Sequence, residues 1–147
     1  MTETRQAPGD APLAPVLQLV PPGPMLDRLL DAVAKGVKTA TSALKVSFDI
    51  AGDPLPRRGD RYTLLDSAGS GWATIRVTEV RVLPLVDVGD DVAAREGDWF
   101  ENAGQWRAAH ERFWARTEAE LRVATGDPLW TVGDETPVVV RFFELLP

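Results

Sequence analysis

The chain sets strands on both sides of a helical stretch, and that order limits what it can fold into. Residues 61–66 have strand character, Ser67-Ala68-Gly69-Ser70-Gly71 supplies a hairpin turn, and 72–82 alternates in polarity as a return strand that Pro84 ends. Because that alternation leaves the apolar face ambiguous, the return strand is expected to be long, twisted and exposed on one side. Residues 86–96 predict a short helix and 103–121 a longer one, with Trp106, Ala109, His110, Phe113 and Leu121 on its inward stripe. The last segment, 138–146, reads VVVRFFELL and is a strongly apolar strand. Ahead of the hairpin, Leu26, Leu29, Leu30 and Val33 repeat at helical spacing, with Pro24 at the start and Gly36 at the end. They predict a helix over 25–35. Together these elements predict an α+β fold, a small mixed β-barrel flanked by helices. No internal repeat is visible, which excludes solenoids and propellers.

A length of 147 residues suits one compact domain. Six of the twelve prolines fall in residues 1–24, so residues 1–20 are expected to form a flexible Pro-rich arm and 21–147 the single domain. Zero Cys excludes disulfides, thiol catalysis, iron–sulfur ligation and Cys-type zinc sites. A single histidine, His110, excludes a two- or three-histidine metal centre within one chain. No uncharged apolar run approaches the roughly 20 residues that span a bilayer, and the N-terminus lacks a basic segment followed by an apolar one. The expectation is a cytoplasmic protein without a membrane partner. Its chemistry falls to Lys, Thr/Ser, carboxylates, Tyr or backbone.

Charge is unevenly spread. Residues 1–62 carry a net +1 and residues 63–147 a net −7, while all three lysines, Lys35, Lys38 and Lys45, lie within eleven residues. A chain of net charge −6 is a poor generic nucleic-acid binder, because phosphate affinity rests on neutralising Lys and Arg. A ligand with few phosphates fits this balance better than a long duplex.

Lys38 and Thr41 sit between a capped helix and a strand, as an amine base and a hydroxyl nucleophile would. In a regular strand the two point to opposite faces, so they converge only where the segment turns. A solvated lysine beside strand-forming threonines reads the same way. The acidic stretch Asp87, Asp90, Asp91, Glu96 and Asp98 suits a hard cation, acid–base work, or a solvated helix start. Flat rings that would stack on a base are Tyr62, Trp72 and Trp99, whereas Trp106 and His110 lie on the inward helix stripe. Arg57, Arg58 and Arg61 form a basic patch that would hold a phosphate or stand in solvent.

These signals fall in a recurring order. Pro22-Gly23-Pro24, the leucine-rich helix, Gly36-x-Lys38-Thr39-Ala40-Thr41-Ser42, Pro54-Leu55-Pro56-x-x-Gly59-Asp60, Thr78-Glu79-Val80, Ala94-Arg95-Glu96-Gly97-Asp98 and Trp106-Arg107-x-x-His110 with Phe113 resemble the ASCH family over about residues 20–146. The resemblance implies a PUA-like barrel with helices around a cleft and a role in RNA or nucleoside recognition. Some compact members are amidohydrolases that deacylate the exocyclic amine of cytidine with a K-x-x-T motif and a later glutamate. Carried to this chain, those catalytic positions are Lys38, Thr41 and Glu96. Thr39, Ser42, Arg58, Tyr62, Trp99, Trp106 and His110 are the expected substrate-binding residues. The amidohydrolases carry an arginine two residues after the threonine; here that position is Ala43, with Lys45 as its nearest replacement.

Three functions follow as expectations. They are a hydrolase of acylated cytidine needing no cofactor, a non-catalytic module binding single-stranded RNA, and a ribonuclease assisted by a divalent cation.

Overall fold

The computed structural model describes residues 14–147. Residues 1–13 of the expected arm lie outside the described residues. The rest of that arm is built into the fold. Val16–Leu17 forms strand β1, and Leu17, Leu19 and Val20 pack against buried apolar residues, because an apolar run between prolines gains more from burial than from solvent.

Helix α1 spans Pro24–Ala34, with the proline at its first turn and Leu26, Leu30 and Val33 buried. Gly36 follows at φ 76°, a left-handed conformation that ends the helix at little steric cost. Strand β2 is Ala40–Leu44 and runs directly into a seven-residue helix, α2 (Lys45–Ala51). The sequence reading did not anticipate α2. Its signals are short-range, a Lys45–Asp49 pair one turn apart (3.1 Å) and Gly52 at φ 72° closing the end.

Strands β3 (Arg61–Leu65) and β4 (Gly71–Pro84) form the expected hairpin. β4 is long, and in its first half Ile75 and Val77 bury one face while Arg76 on the other stands partly in solvent. A register shift between Val77 and Glu79 turns its later residues, as a bulge does. The helical stretch comprises a 3-10 turn at Leu85–Asp87, α3 (Asp90–Glu96), α4 (Ala103–Ala115) and α5 (Glu118–Thr125). The single helix expected over 103–121 is therefore two. At the break the Thr117 hydroxyl and backbone N–H both donate to Trp114 O (2.9 Å), a local bond that competes with continuing the helix.

Strand β5, Pro137–Leu145, completes one sheet in the order β1–β3–β4–β5–β2. The fold is α+β. β5 is buried on both faces, the environment that a near-continuous apolar run requires. Val138, Val140 and Phe142 meet α3 and α4 on one face, and Phe143 meets α1 on the other. β2 lies at the end of the sheet, bonded to β5 along one edge only. Its free edge runs between α1 on one side and α4 on the other.

Candidate functional site

A cavity of about 1180 Å³ lies along the free edge of β2, walled by α1, the 98–100 loop and α4. Alternation decides which side chains reach it. Ala40 and Leu44 enter the core shared with α3 and α4, and Ser42 shares their face, whereas Thr41 leaves on the other face, opposite Arg141 of β5. The segment before Ala40 is not yet strand, and Thr39 N–H bonds Arg95 O (2.7 Å) instead of β5. Lys38 therefore turns inward, only 4% exposed. Lys38, Thr41, Ser42 and Glu96 all line the cavity.

Lys38 Nζ donates to Ala40 O (2.8 Å) and to Glu96 O (3.3 Å), and lies 3.6 Å from Glu96 Oε1. Two carbonyls thus accept from the amine, and the carboxylate stands beyond hydrogen-bond length but within ion-pair distance. Glu96 closes α3 on the inward side of that helix, with Val92 and Ala93, and is 2% exposed. Its two oxygens have different neighbours. Oε2 accepts from Trp106 Nε1 (2.9 Å) and, in a very short bond, from the Ser42 hydroxyl. Oε1 faces Lys38 and, at 3.2 Å, His110 Nε2. His110 lies flat on Trp106, with ring centroids 4.1 Å apart, and its Nδ1 stands 2.8 Å from Trp106 O. Nδ1 thus faces a carbonyl and Nε2 a carboxylate, both of them acceptors.

Burial pushes the Lys38 amine below the ordinary lysine value, and the charge of Glu96 opposes it. Burial would raise the Glu96 carboxyl, but the charge of Lys38 and the bonds from His110 and Ser42 outweigh it and hold the group at about 2. Replacing a buried pair of this kind with apolar residues often costs no stability, so packing alone does not require it.

The backbone of β2 contributes as well. Phe143 N–H donates to Thr39 O (2.9 Å), which sets the odd residues to bond β5. The even residues point outward, as the Lys38 bond to Ala40 O shows, so the N–H and C=O of Ser42 face the cavity. Trp99, 45% exposed, and Phe100 form one wall, with ring centroids 5.7 Å apart. Arg28, Arg112 and Arg116 also line the cavity and make no ion pair among the described residues, whereas Lys35 pairs with Asp31 at 2.7 Å.

Several expected binding residues lie elsewhere. Thr39 accepts from Arg95 Nε (2.6 Å) and is not on the cavity wall. Tyr62 lies under the Arg141 guanidinium, 4.8 Å from the ring centroid, because β3 belongs to the far side of the sheet. Trp72 packs with Tyr62 against the α1 core. Arg58 is exposed in the loop before β3, and Lys45 is tied to Asp49, so neither reaches the cavity. Trp106 is fully buried and bonds Glu96 from beneath, not a ligand. The acidic stretch disperses: Asp91 pairs with Arg81 (2.7 Å), Asp90 accepts from Ala103 N–H (2.7 Å), and Glu96 turns inward. No cluster of three potential metal ligands exists among the described residues. Sequence reasoning missed Phe100, Arg28, Arg112 and Arg116. Arg112 in the last turn of α4 and Arg116, which caps its end, are four residues apart, a spacing visible in the sequence, while nothing local marks Arg28 or Phe100.

The family model for the ASCH domain matches residues 19–147. No curated protein matches. Among solved structures, protein EF3133 from Enterococcus faecalis V583, of the DUF984 family model, superposes with a TM-score of 0.78 at 25% identity, over 91% of this chain and 77% of that one. An ASCH domain from Lactobacillus crispatus JV V101 gives a TM-score of 0.71 at 22% identity, over 82% of this chain and 72% of that one.

Proposed function

The chain belongs to the ASCH domain family, whose PUA-like fold is associated with RNA binding, and from that premise we propose that it is a small amidohydrolase acting on an N-acylated cytidine. One observation carries the reading. A lysine and a glutamate, 4% and 2% exposed, are paired at the wall of a cavity with room for a nucleoside. Recognition alone does not require a desolvated amine there.

In this reading Lys38, in its neutral form, takes the proton of Thr41, whose oxygen attacks the amide carbonyl. Glu96 holds the lysine in place. The outward N–H of Ser42 is available to the developing oxyanion, and Trp99 offers a face for the base. The arginine that the family's amidohydrolases carry after the threonine is absent, and Arg28, Arg112 and Arg116 are the cations at hand to meet a phosphate.

Those three arginines, which make no ion pair among the described residues, favour a second reading, a module that binds single-stranded RNA without chemistry. Purified protein is incubated with acylated cytidine nucleosides and, separately, with labelled single-stranded RNA, with and without a divalent cation. Deacylation that Lys38→Ala abolishes is the expected result. Deacylation unchanged by that substitution removes the mechanism. RNA retention without turnover supports the binding module, and cation-dependent RNA cleavage supports a ribonuclease.

A further inference from the structure

We infer that His110 is the acid that protonates the departing amine, working opposite Lys38 across a single oxygen of Glu96; the inference rests on the deacylation reading above. Oε2 of Glu96 is occupied by two donors that do not titrate in the ordinary range, Trp106 Nε1 and the Ser42 hydroxyl. Oε1 is left to the two groups that can exchange a proton, Lys38 Nζ at 3.6 Å and His110 Nε2 at 3.2 Å. Both line the cavity. His110 is orientated from two directions, by the Nδ1 contact with Trp106 O (2.8 Å) and by stacking on the Trp106 ring at 4.1 Å. That turns Nε2 toward Glu96 Oε1 and the cavity, so a ligand amine would reach the ring at the edge it shares with the carboxylate. A histidine serving only as core filler would not need its second nitrogen at the cavity, beside a carboxylate shared with a lysine.

The arrangement balances one mobile proton over two sites. With Lys38 neutral and His110 protonated, the cluster carries the same net charge as with Lys38 protonated and His110 neutral. Glu96 remains ionised in both states. In acylation Lys38 accepts the Thr41 proton, Thr41 Oγ bonds to the acyl carbon, and the carbon–nitrogen bond breaks. The leaving nitrogen takes its proton from His110 Nε2, giving an acyl-Thr41 ester, a free amine, protonated Lys38 and neutral His110. In deacylation His110 Nε2 accepts a proton from water, whose oxygen attacks the ester. Thr41 Oγ departs and recovers its proton from Lys38, and the acid is released. Both groups return to their starting states.

An acid of this kind is needed for an amine, which leaves poorly, and not for a p-nitrophenolate, which leaves as an anion. Wild type, Lys38→Ala and His110→Gln are assayed on an N-acylcytidine and on the p-nitrophenyl ester of the same acyl group. Glutamine keeps an N–H within reach of Glu96 but cannot exchange a proton. His110→Asn, which can replace the Nδ1 donor, serves as a second variant, and circular-dichroism melts report folding of each. The expected result for His110→Gln is an amide turnover lower by about 100-fold or more. Its ester burst, one p-nitrophenolate per protein, proceeds at the wild-type rate and then stalls, since water is no longer activated. Lys38→Ala loses both. Amide turnover retained in both folded His110 variants overturns the acid role, as does an ester burst lost along with the amide. If wild type cleaves no amide, the deacylation reading fails and the acid role falls with it.

Discussion

Lys38 and Glu96 hold each other where neither charge would settle alone. Each is desolvated, and each leaves the other uncompensated when removed. Lys38→Met and Glu96→Gln are each expected to cost about 3–5 kcal/mol of unfolding free energy. The double variant should cost less than the two single losses combined, because it leaves no buried charge behind. Urea denaturation with an unchanged slope measures all three, and strict additivity would mean that the two residues do not act as a pair. Ser42→Ala removes a hydroxyl donor to an ionised carboxylate, for an expected loss of roughly 1.5–3 kcal/mol. Since Trp106 Nε1 still holds the same oxygen, the loss should fall at the low end.

At the scale of elements, the site depends on two ends of secondary structure and one strand edge. α4 begins with Asn102, whose side chain accepts from Gln105 N–H (2.9 Å). Asn102→Ala should cost about 1 kcal/mol and lower the melting temperature without altering the unfolded baseline. Gly97 ends α3 in extended backbone (φ 170°), so its value lies in space and not in conformation. A Cβ at Gly97 would overlap the Trp99 indole. Trp99 is the exposed end of a loop and can swing away, so Gly97→Ala is expected to leave stability within about 1 kcal/mol and to displace the ring. A shift in tryptophan emission together with weaker nucleoside binding would show the displacement; unchanged emission and binding would show that Trp99 is not part of the cavity wall. The edge of β2 does the rest. Only because β5 occupies one side are the outward backbone groups of Ser42 left for a ligand.

For the molecule as a whole, the pair ties stability to pH. The Glu96 carboxyl sits at about 2 when folded, against an ordinary value of 4.5, so between those values the unfolded chain binds the extra proton. Its contribution is complete above about 4.5 and is lost as pH falls toward about 2. Asp91, lowered by its bond from Arg81, acts with the same sign at the surface. Lys38 acts at the other end. Burial lowers its amine from 10.5, so the unfolded chain keeps that proton longer and stability rises with pH through the interval between the two values. Thermal melts from pH 7 down to 2 should show a falling midpoint below about pH 4.5 that is flatter in Glu96→Gln. A variant that tracks wild type throughout would assign the acid limb to other carboxylates.

By itself the sequence determined the order and type of most elements, the hairpin, the capped first helix and the family. Those properties rest on periodicity, turn chemistry and capping, which act within a few residues. The α+β class followed from strands on either side of helices. The residues Lys38, Ser42, Glu96 and His110 were legible as candidates, yet not as one cluster: the backbone of Glu96 meets Lys38 across 58 positions of chain. Tertiary structure alone decided that β2 lies at an edge, that Thr39, Arg58 and Tyr62 fall outside the cavity, and that Trp106 supports Glu96 from the core while Trp99 faces the opening. The reason is the strand order. It decides which face and which edge of each strand meet a helix, another strand or the cavity, and it is set by packing among segments distant in sequence, which no local pattern encodes.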